Sequence, residues 1–412
     1  MNESSIQQRV KDYISANWDA TVVEKSELLG AIPLPEKYTV PTMGPTFRAF
    51  FYWDTYFTCE GLILEGRLDL ALSNANNFIH LCNTLGYIPN FNIEGHLNRS
   101  QLPVAAMLYE AVYKQTGDKA WLAEAFEALQ IEYSYWMGMR IGPDGLNRHY
   151  THASPVEIDQ FYDVVKDRLN DIPEDRSERR RYLAAAIAEA ENWDFTPRYD
   201  RRCPDFYAVD LNALVLSMEE IAGDFASELG EDAEVWRARA AQRRMLCDEF
   251  LWNESQGLYF DYDWARREQG SVVTASNYYA LACGLPSADQ AAAIFEAADG
   301  VLELACGVST GADQGLCPEQ IYQWDYPNAW PPIQFLAMKG ALRYGRPDIA
   351  EGIARKYTDT IELNFERSGQ LWEKYNAVTG GIDVSDEYPM PPMMGWTSGV
   401  YLYACSILDA SS

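Results

Sequence analysis

Between residues 210 and 229 the apolar side chains Leu211, Leu214, Met218, Ile221, Phe225 and Leu229 recur at steps of three and four, which places them on one buried face of a helix. A short Gly230-Glu231 break follows, and Asp232 caps a second helix that carries Trp236, Ala240, Cys247 and Phe250. The same periodicity predicts helices over 68–84 paired with 100–116, over 119–139, over 177–190, over 274–283 paired with 287–298, and over 332–344 paired with 349–364. Strand signals are confined to short Gly-led turns of one composition: "GPDGLNRHY" (142–150), "NESQGLYFDYD" (253–263) and "ERSGQLWEKYN" (366–376). A helix-turn-helix unit repeated along the chain predicts an all-α toroid of helical hairpins, with an open α-solenoid as the rival. An open array ends in polar capping repeats, whereas 393–408 stays apolar and aromatic, which favours closure. No linker composition interrupts the chain, so a single domain over 1–412 is expected.

One stretch fits neither period. "IYQWDYPNAWPP" (321–332) sets Trp324 and Trp330 among three prolines, which remove backbone donors and fix φ, so it reads as a rigid loop. Aromatic planes beside amide and carboxylate groups suit a sugar, whose C–H faces stack on rings while its hydroxyls need directed hydrogen bonds. The plainer alternative is a Pro-rich turn with both tryptophans as core plugs. In a closed toroid a ligand sits where loops converge at the ends of the inner helices. Four loops combine aromatics with carboxylates: "TFRAFFYWDTYFTCEGL" (46–62), which precedes a helix, "GYIPNFNIEGHLNRSQLP" (86–103), "ENWDFTPRYD" (191–200) and the long segment 371–396.

Charge and cysteine content narrow the partners. A net charge of -28 lacks the basic footprint that nucleic acid or an anionic membrane requires, so a small neutral or cationic ligand is expected and oligomeric state is left open. No run of 18 apolar residues occurs, and the first residues are polar and amphipathic, so the chain as given is expected to be soluble, without an export segment, and cytoplasmic, with the periplasm as the alternative if a signal was removed. Eight scattered cysteines with no CxxC pair read as buried thiols in a reducing compartment. No cofactor or metal is expected. His149 and His152 at i, i+3 lack further ligands nearby, and Asp383, Asp386 and Glu387 match no calcium loop.

Two of these segments carry a resemblance. "FRAFFYWDTYF" (47–57) and "QWDYPNAWPP" (323–332) resemble the signature segments of the trehalases, family 37 of the glycoside hydrolases. "IPNFN", "RSQLP", "NWDFTPR", "AVDLNAL", "EKYN" and "GWTSGV" follow that family's pattern in order, in blocks from about Pro41 to Val400. The resemblance implies an (α/α)6 barrel and hydrolysis of an α-glucosidic bond with inversion, most simply α,α-trehalose to two glucose. An α-glucosidase for a related glucoside and a catalytically silent carbohydrate-binding barrel are the alternatives, with a helical scaffold for protein partners behind them. The resemblance places the general acid at Asp194 and the base at Glu373. It places sugar contacts at Phe47, Trp53, Asp54, Asn90, Arg99, Ser100, Gln101, Gln323, Trp324, Asp325, Glu387 and Trp396.

The residues agree with that chemistry. An inverting glycosidase needs a protonated carboxyl and a carboxylate on opposite faces of the sugar, roughly 6.5–9.5 Å apart. Asp194 between Trp193 and Phe195 is expected to be kept protonated by an apolar setting, and Glu373 beside Lys374 to be kept ionised. Trp53 and Trp324 offer stacking faces; Arg99 and Gln101 offer forked donors. The loop with Gly380 and Gly381 reads either as a lid or as a plain surface loop. The sequence also departs from the family. Thr46 stands where an arginine is usual, the Arg-Pro-Glu-Ser segment is replaced by "HYTHASPVEID" (149–159), and the glycine run before Glu387 is reduced. The subsite for the leaving sugar is therefore expected to be altered, with specificity set by His149, His152 and Glu157.

Overall fold

The computed structural model describes residues 5–315, 322–384, 386–392 and 394–410; Cys317, Ile321 and Met393 lie outside them. Among the described residues the chain forms fourteen α-helices. They are α1 (Ile6–Asn17), α2 (Tyr52–Leu64), α3 (Leu68–Leu85), α4 (Ala105–Thr116), α5 (Lys119–Trp136), α6 (Pro155–Val165), α7 (Arg176–Glu189), α8 (Val209–Leu229), α9 (Glu234–Phe250), α10 (Ser276–Ala282), α11 (Ala288–Ala298), α12 (Pro331–Arg343), α13 (Pro347–Ser368) and α14 (Gly395–Ala410). None of them is long and apolar enough to cross a membrane.

Six helices pack in a closed cycle: α2 on α4, α4 on α8, α8 on α10, α10 on α12, α12 on α14, and α14 back on α2. The connecting helices lie outside this ring, α3 and α5 against their inner neighbours, α9 on α8, and α13 across α12 and α14. This is an (α/α)6 barrel, and the α2–α14 contact excludes the open solenoid. Closure depends on two glycines. A Cβ on Gly61 would sit 2.4 Å from Gly399 Cα, and one on Gly399 would sit 2.0 Å from the Phe57 carbonyl oxygen, so both helices approach backbone to backbone. The inner helices are apolar nearly all round, as helices buried on every side must be. In α8 even Asp210, Asn212 and Glu219 are buried, each held by hydrogen bonds or an ion pair.

Sequence and structure part in several places. The "FRAFFYWDTYF" segment does not merely precede a helix: α2 begins inside it, at Tyr52. The turn at 253–263 forms the expected hairpin, Trp252–Asn253 against Leu258–Tyr259. The segment 366–376 forms none; Tyr375–Asn376 pairs instead with Asn328–Ala329, so two distant loops share a ladder. The replaced motif at 149–159 runs into α6, which pairs with α7 in a hairpin between α5 and α8. That hairpin has its own small core of Phe161, Val165, Leu169, Leu183 and Ile187, and this core takes in Phe195 and Tyr322 from the loops below it.

Candidate active site

A cavity of about 500 Å3 opens where the inner helices begin. Trp53 and Asp54 come from the first turn of α2, Gln101 from the segment before α4, Trp330 from the N-cap of α12, and Trp396 from the first turn of α14. Helix starts converge here because each leaves backbone donors unsatisfied that polar side chains can meet. Gln101 Oε1, for example, accepts from the Trp53 amide at 3.1 Å.

The wall is aromatic. Trp324 and Trp330 stack at 3.9 Å with ring planes 5° apart, and Trp193 continues the stack at 5.7 Å from Trp324. The two tryptophans of the Pro-rich loop are thus both buried plugs and cavity lining.

Asp194 enters from the turn after α7. Its position is set by its neighbours: Glu189 accepts from the Thr196 amide at 2.8 Å, and Gln323 Nε2 donates to the Asp194 carbonyl at 3.0 Å. Trp193 Nε1 donates to Tyr279 at 3.2 Å. The expected apolar sandwich does not describe the carboxyl itself. That group is 34% exposed and faces Arg168, whose Nη2 lies 2.9 Å from Asp194 Oδ2. Trp193 and Phe195 are fully buried, Trp193 against Trp324 and Phe195 in the small core of the α6–α7 hairpin.

Glu373 enters just ahead of the ladder strand Tyr375–Asn376, buried, with its carbonyl accepting from Trp396 Nε1 at 3.1 Å. Its Oε1 accepts from Tyr388 at 2.9 Å and its Oε2 from Lys374 at 3.1 Å. Burial nevertheless raises its pKa, and the pull of Lys374 and Tyr388 only limits the rise. Lys374 is less effective than its adjacency suggested, because it also serves Asp386 at 2.6 Å. A third carboxyl is coupled to these two electrostatically. Burial pushes Asp54 up to about 8 against the pull of its own backbone amide, and Glu373 and Asp194 add to the rise.

Of the residues named from sequence, Phe47, Trp53, Asp54, Asn90, Arg99, Gln101, Asp194, Trp324, Glu373 and Trp396 line this one cavity. Four named residues stand outside the lining. Ser100 is structural: its amide donates to Glu191 at 3.0 Å and its hydroxyl to the Ile88 carbonyl at 2.6 Å. Gln323 lies behind Asp194. Asp325 packs against Gly311 and faces Asp313. Glu387 is 1% exposed and pairs with Arg168 at 2.7 Å.

The expectation that His149, His152 and Glu157 set specificity is corrected as well. His149 is fully buried 3.2 Å from Glu191, a carboxylate that burial would raise but that Arg140 and His149 bring down to about 2. His152 Nε2 sits 2.8 Å from the Leu97 carbonyl, and Glu157 closes the capping box of α6. Segment 149–159 is spent on starting a helix, not on lining the cavity. The glycine turn of the loop read either as a lid or as a plain surface loop is tied down: the Gly381 carbonyl accepts from the Asn376 amide at 2.9 Å and the Gly380 carbonyl from Asn364 at 2.6 Å.

Sequence reasoning missed Arg48, His96, Arg168, Asn192 and Tyr388, all of which line the cavity. Arg48 and Asn192 stand inside segments already singled out, so proximity to the signature was the available signal. Arg168 follows α6 and carries no local signal. Three buried polar atoms on lining residues have no protein partner among the described residues: Arg99 Nε, Trp324 Nε1 and Asn192 Oδ1.

The trehalase family profile matches residues 2–409. The periplasmic trehalase of Shigella flexneri serotype 5b is 30% identical over 96% of this chain and 73% of its own length. That of Pseudomonas aeruginosa is 32% identical over 90% of this chain and 71% of its own. Among solved structures, neutral trehalase from Saccharomyces cerevisiae matches with TM-score 0.80 at 24% identity, covering 97% of this chain and 80% of that one. A mannosylglycerate hydrolase from Thermus thermophilus, of glycoside hydrolase family 63, matches with TM-score 0.65 at 17% identity, covering 97% and 99%. These two structures share the fold. The expected cytoplasmic location is overturned by the curated relatives, whose periplasmic placement points away from the cytoplasm. The cysteines are no obstacle to that correction, since the buried thiols have raised pKa values and are poor nucleophiles in any compartment.

Proposed function

Because the chain belongs to the trehalase family and is a glycoside hydrolase, we propose that it hydrolyses α,α-trehalose to two glucose with inversion, Asp194 acting as general acid and Glu373 as general base. The observation that carries this reading is that both carboxyls line one aromatic-walled cavity from separate loops, and that the cavity has the size of a disaccharide site.

The reaction follows from the groups present. Asp194 donates its proton to the glycosidic oxygen while Glu373 takes one from the attacking water. Tyr388 and Lys374 each hold one oxygen of Glu373, which fixes the direction in which the carboxylate faces the water. Asp54, whose pKa burial raises, donates in its neutral form a hydrogen bond to a sugar hydroxyl and spares the site a second negative charge beside Glu373. Trp53 and Trp324 stack on the glucose ring.

The test is release of glucose from trehalose by wild type, Asp194→Asn and Glu373→Gln. Wild type releases glucose, and each amide variant, folded as judged by circular dichroism, loses about 10²–10⁴-fold in kcat. Near-wild-type turnover in either variant removes that residue from the mechanism.

A further inference from the structure

We propose that Arg168 is the residue that grips the leaving sugar and aligns Asp194, so that the α6–α7 hairpin supplies the cation missing at Thr46 and in the segment 149–159. The proposal rests on the reading of Asp194 as general acid.

The argument begins with position. The proton of the general acid goes to the glycosidic oxygen, the atom that leaves with the departing sugar. A side chain in contact with that carboxyl and also lining the cavity therefore borders the scissile bond, where the leaving sugar is attached. Arg168 meets both conditions: it lines the cavity, and its Nη2 is 2.9 Å from Asp194 Oδ2. Its guanidinium is also aimed. Glu387 Oε2 lies 2.9 Å from Nε and 2.7 Å from Nη2, and the planar group lies over the Phe195 ring at 4.8 Å and the Tyr388 ring at 5.8 Å. Clamped by a carboxylate along one edge and by rings on its faces, an arginine loses little further freedom when it binds a sugar. Its side chain remains 18% exposed.

The other two arginines of the lining are placed for different work. Arg48 donates to the Thr42 carbonyl at 2.9 Å, and Arg99 to Asn98 at 2.9 Å. The positions expected from sequence to carry leaving-sugar contacts do not reach the cavity, since Thr46 is exposed and His149 and Glu157 are engaged elsewhere. Glu387 accordingly changes role, from a sugar contact to the group that orients Arg168. Glu387 is a positioning residue, and Arg168 a specificity residue.

The discriminating experiment compares two substrates. Trehalose has a leaving sugar; α-D-glucosyl fluoride has none and needs little acid assistance, while the attacked glucose is the same. In Arg168→Gln, kcat/KM for trehalose falls about 10- to 100-fold, the loss of a charged hydrogen bond, and that for the fluoride falls clearly less. Arg168→Lys keeps the charge without the planar fork and lies between. Glu387→Gln shifts trehalose kcat/KM in the same direction, and the double variant loses less than the product of the two single losses. Thermal melting of each variant accompanies the kinetics. Equal losses on both substrates, or additive losses in the double variant, overturn the assignment of Arg168 to the leaving sugar. If Arg168→Gln does not fold, Arg168→Lys and Glu387→Gln carry the same comparison. A wild type that cleaves the fluoride but not trehalose defeats the functional reading and the proposal with it, whereas an unaffected Arg168→Gln on trehalose defeats the proposal alone.

Discussion

At the scale of single residues the site is a balance of carboxyls, and two of them yield predictions with a sign. Burial raises the pKa of Glu373 while Lys374 and Tyr388 lower it. Removing the Tyr388 hydroxyl leaves burial less opposed. The base must be ionised to work, so activity is lost as pH falls through its pKa, and Tyr388→Phe moves the acid limb of kcat/KM to higher pH. A pH–rate profile of the two proteins checks this, and an unmoved limb contradicts it. Asp54 gives the second. Its folded pKa of about 8 lies above the ordinary carboxylate value of 3.8, so the neutral form favours folding at low pH. That contribution is complete below about 4 and is lost as pH rises toward about 8. Asp54→Asn, which does not titrate, is therefore increasingly more stable than wild type from pH 5 to pH 8, by up to several kcal/mol, while its activity falls. Melting curves across that range are the measurement, and a constant difference between the two proteins would sink the claim. Neither balance was legible in sequence. Lys374 beside Glu373 looked like a sufficient counter-charge, because sequence shows adjacency and hides burial, and Tyr388 was one tyrosine in a long loop.

Among elements, most helices were legible because the 3.6-residue period survives in them, as over 210–229, where the structure has α8 at Val209–Leu229, while α1, α6 and α14 went unread. Two things escaped. The partner of the expected helix at 177–190 was hidden because segment 149–159 departs from the family motif, and the capping box of Ser154 and Glu157 that starts α6 lies inside it. The closure of the ring was inferred from apolar composition near the C-terminus, but the means of closure were not. Gly61 and Gly399 look like ordinary helix glycines until α2 and α14 are packed together. Because a methyl group at 399 would meet the Phe57 carbonyl oxygen at 2.0 Å, Gly399→Ala forces the first and last inner helices apart. The expected cost is about 1–3 kcal/mol or more, read as a lower urea midpoint with unchanged m-value. A methyl group tolerated there without loss would mean that the ring is not closed by this contact.

For the whole molecule, the arrangement of inner helix starts around one cavity brings together residues as far apart in sequence as Trp53, Asp194, Trp324 and Glu373. Sequence reasoning reached most of that lining through the family resemblance, since the aromatic and amide residues of its motifs sit at helix starts. It failed where a contact crosses between elements, as with Arg168 and Glu387, 219 residues apart. Charge pointed to a small neutral or cationic ligand, and the cavity sets three arginines, Arg48, Arg99 and Arg168, beside the carboxyls Asp54, Asp194 and Glu373. The central claim is that Asp194 and Glu373 act on opposite faces of one glucose, with water delivered by the second. Proton NMR of the anomers formed in the first moments of trehalose hydrolysis, before mutarotation, tests it most directly. Inversion at one anomeric carbon releases β-glucose from the attacked ring and α-glucose from the leaving ring, so the account predicts both in equal amounts from the start. An initial product that is α-glucose alone would reveal retention through a covalent intermediate and contradict the assignment of Glu373 as a base.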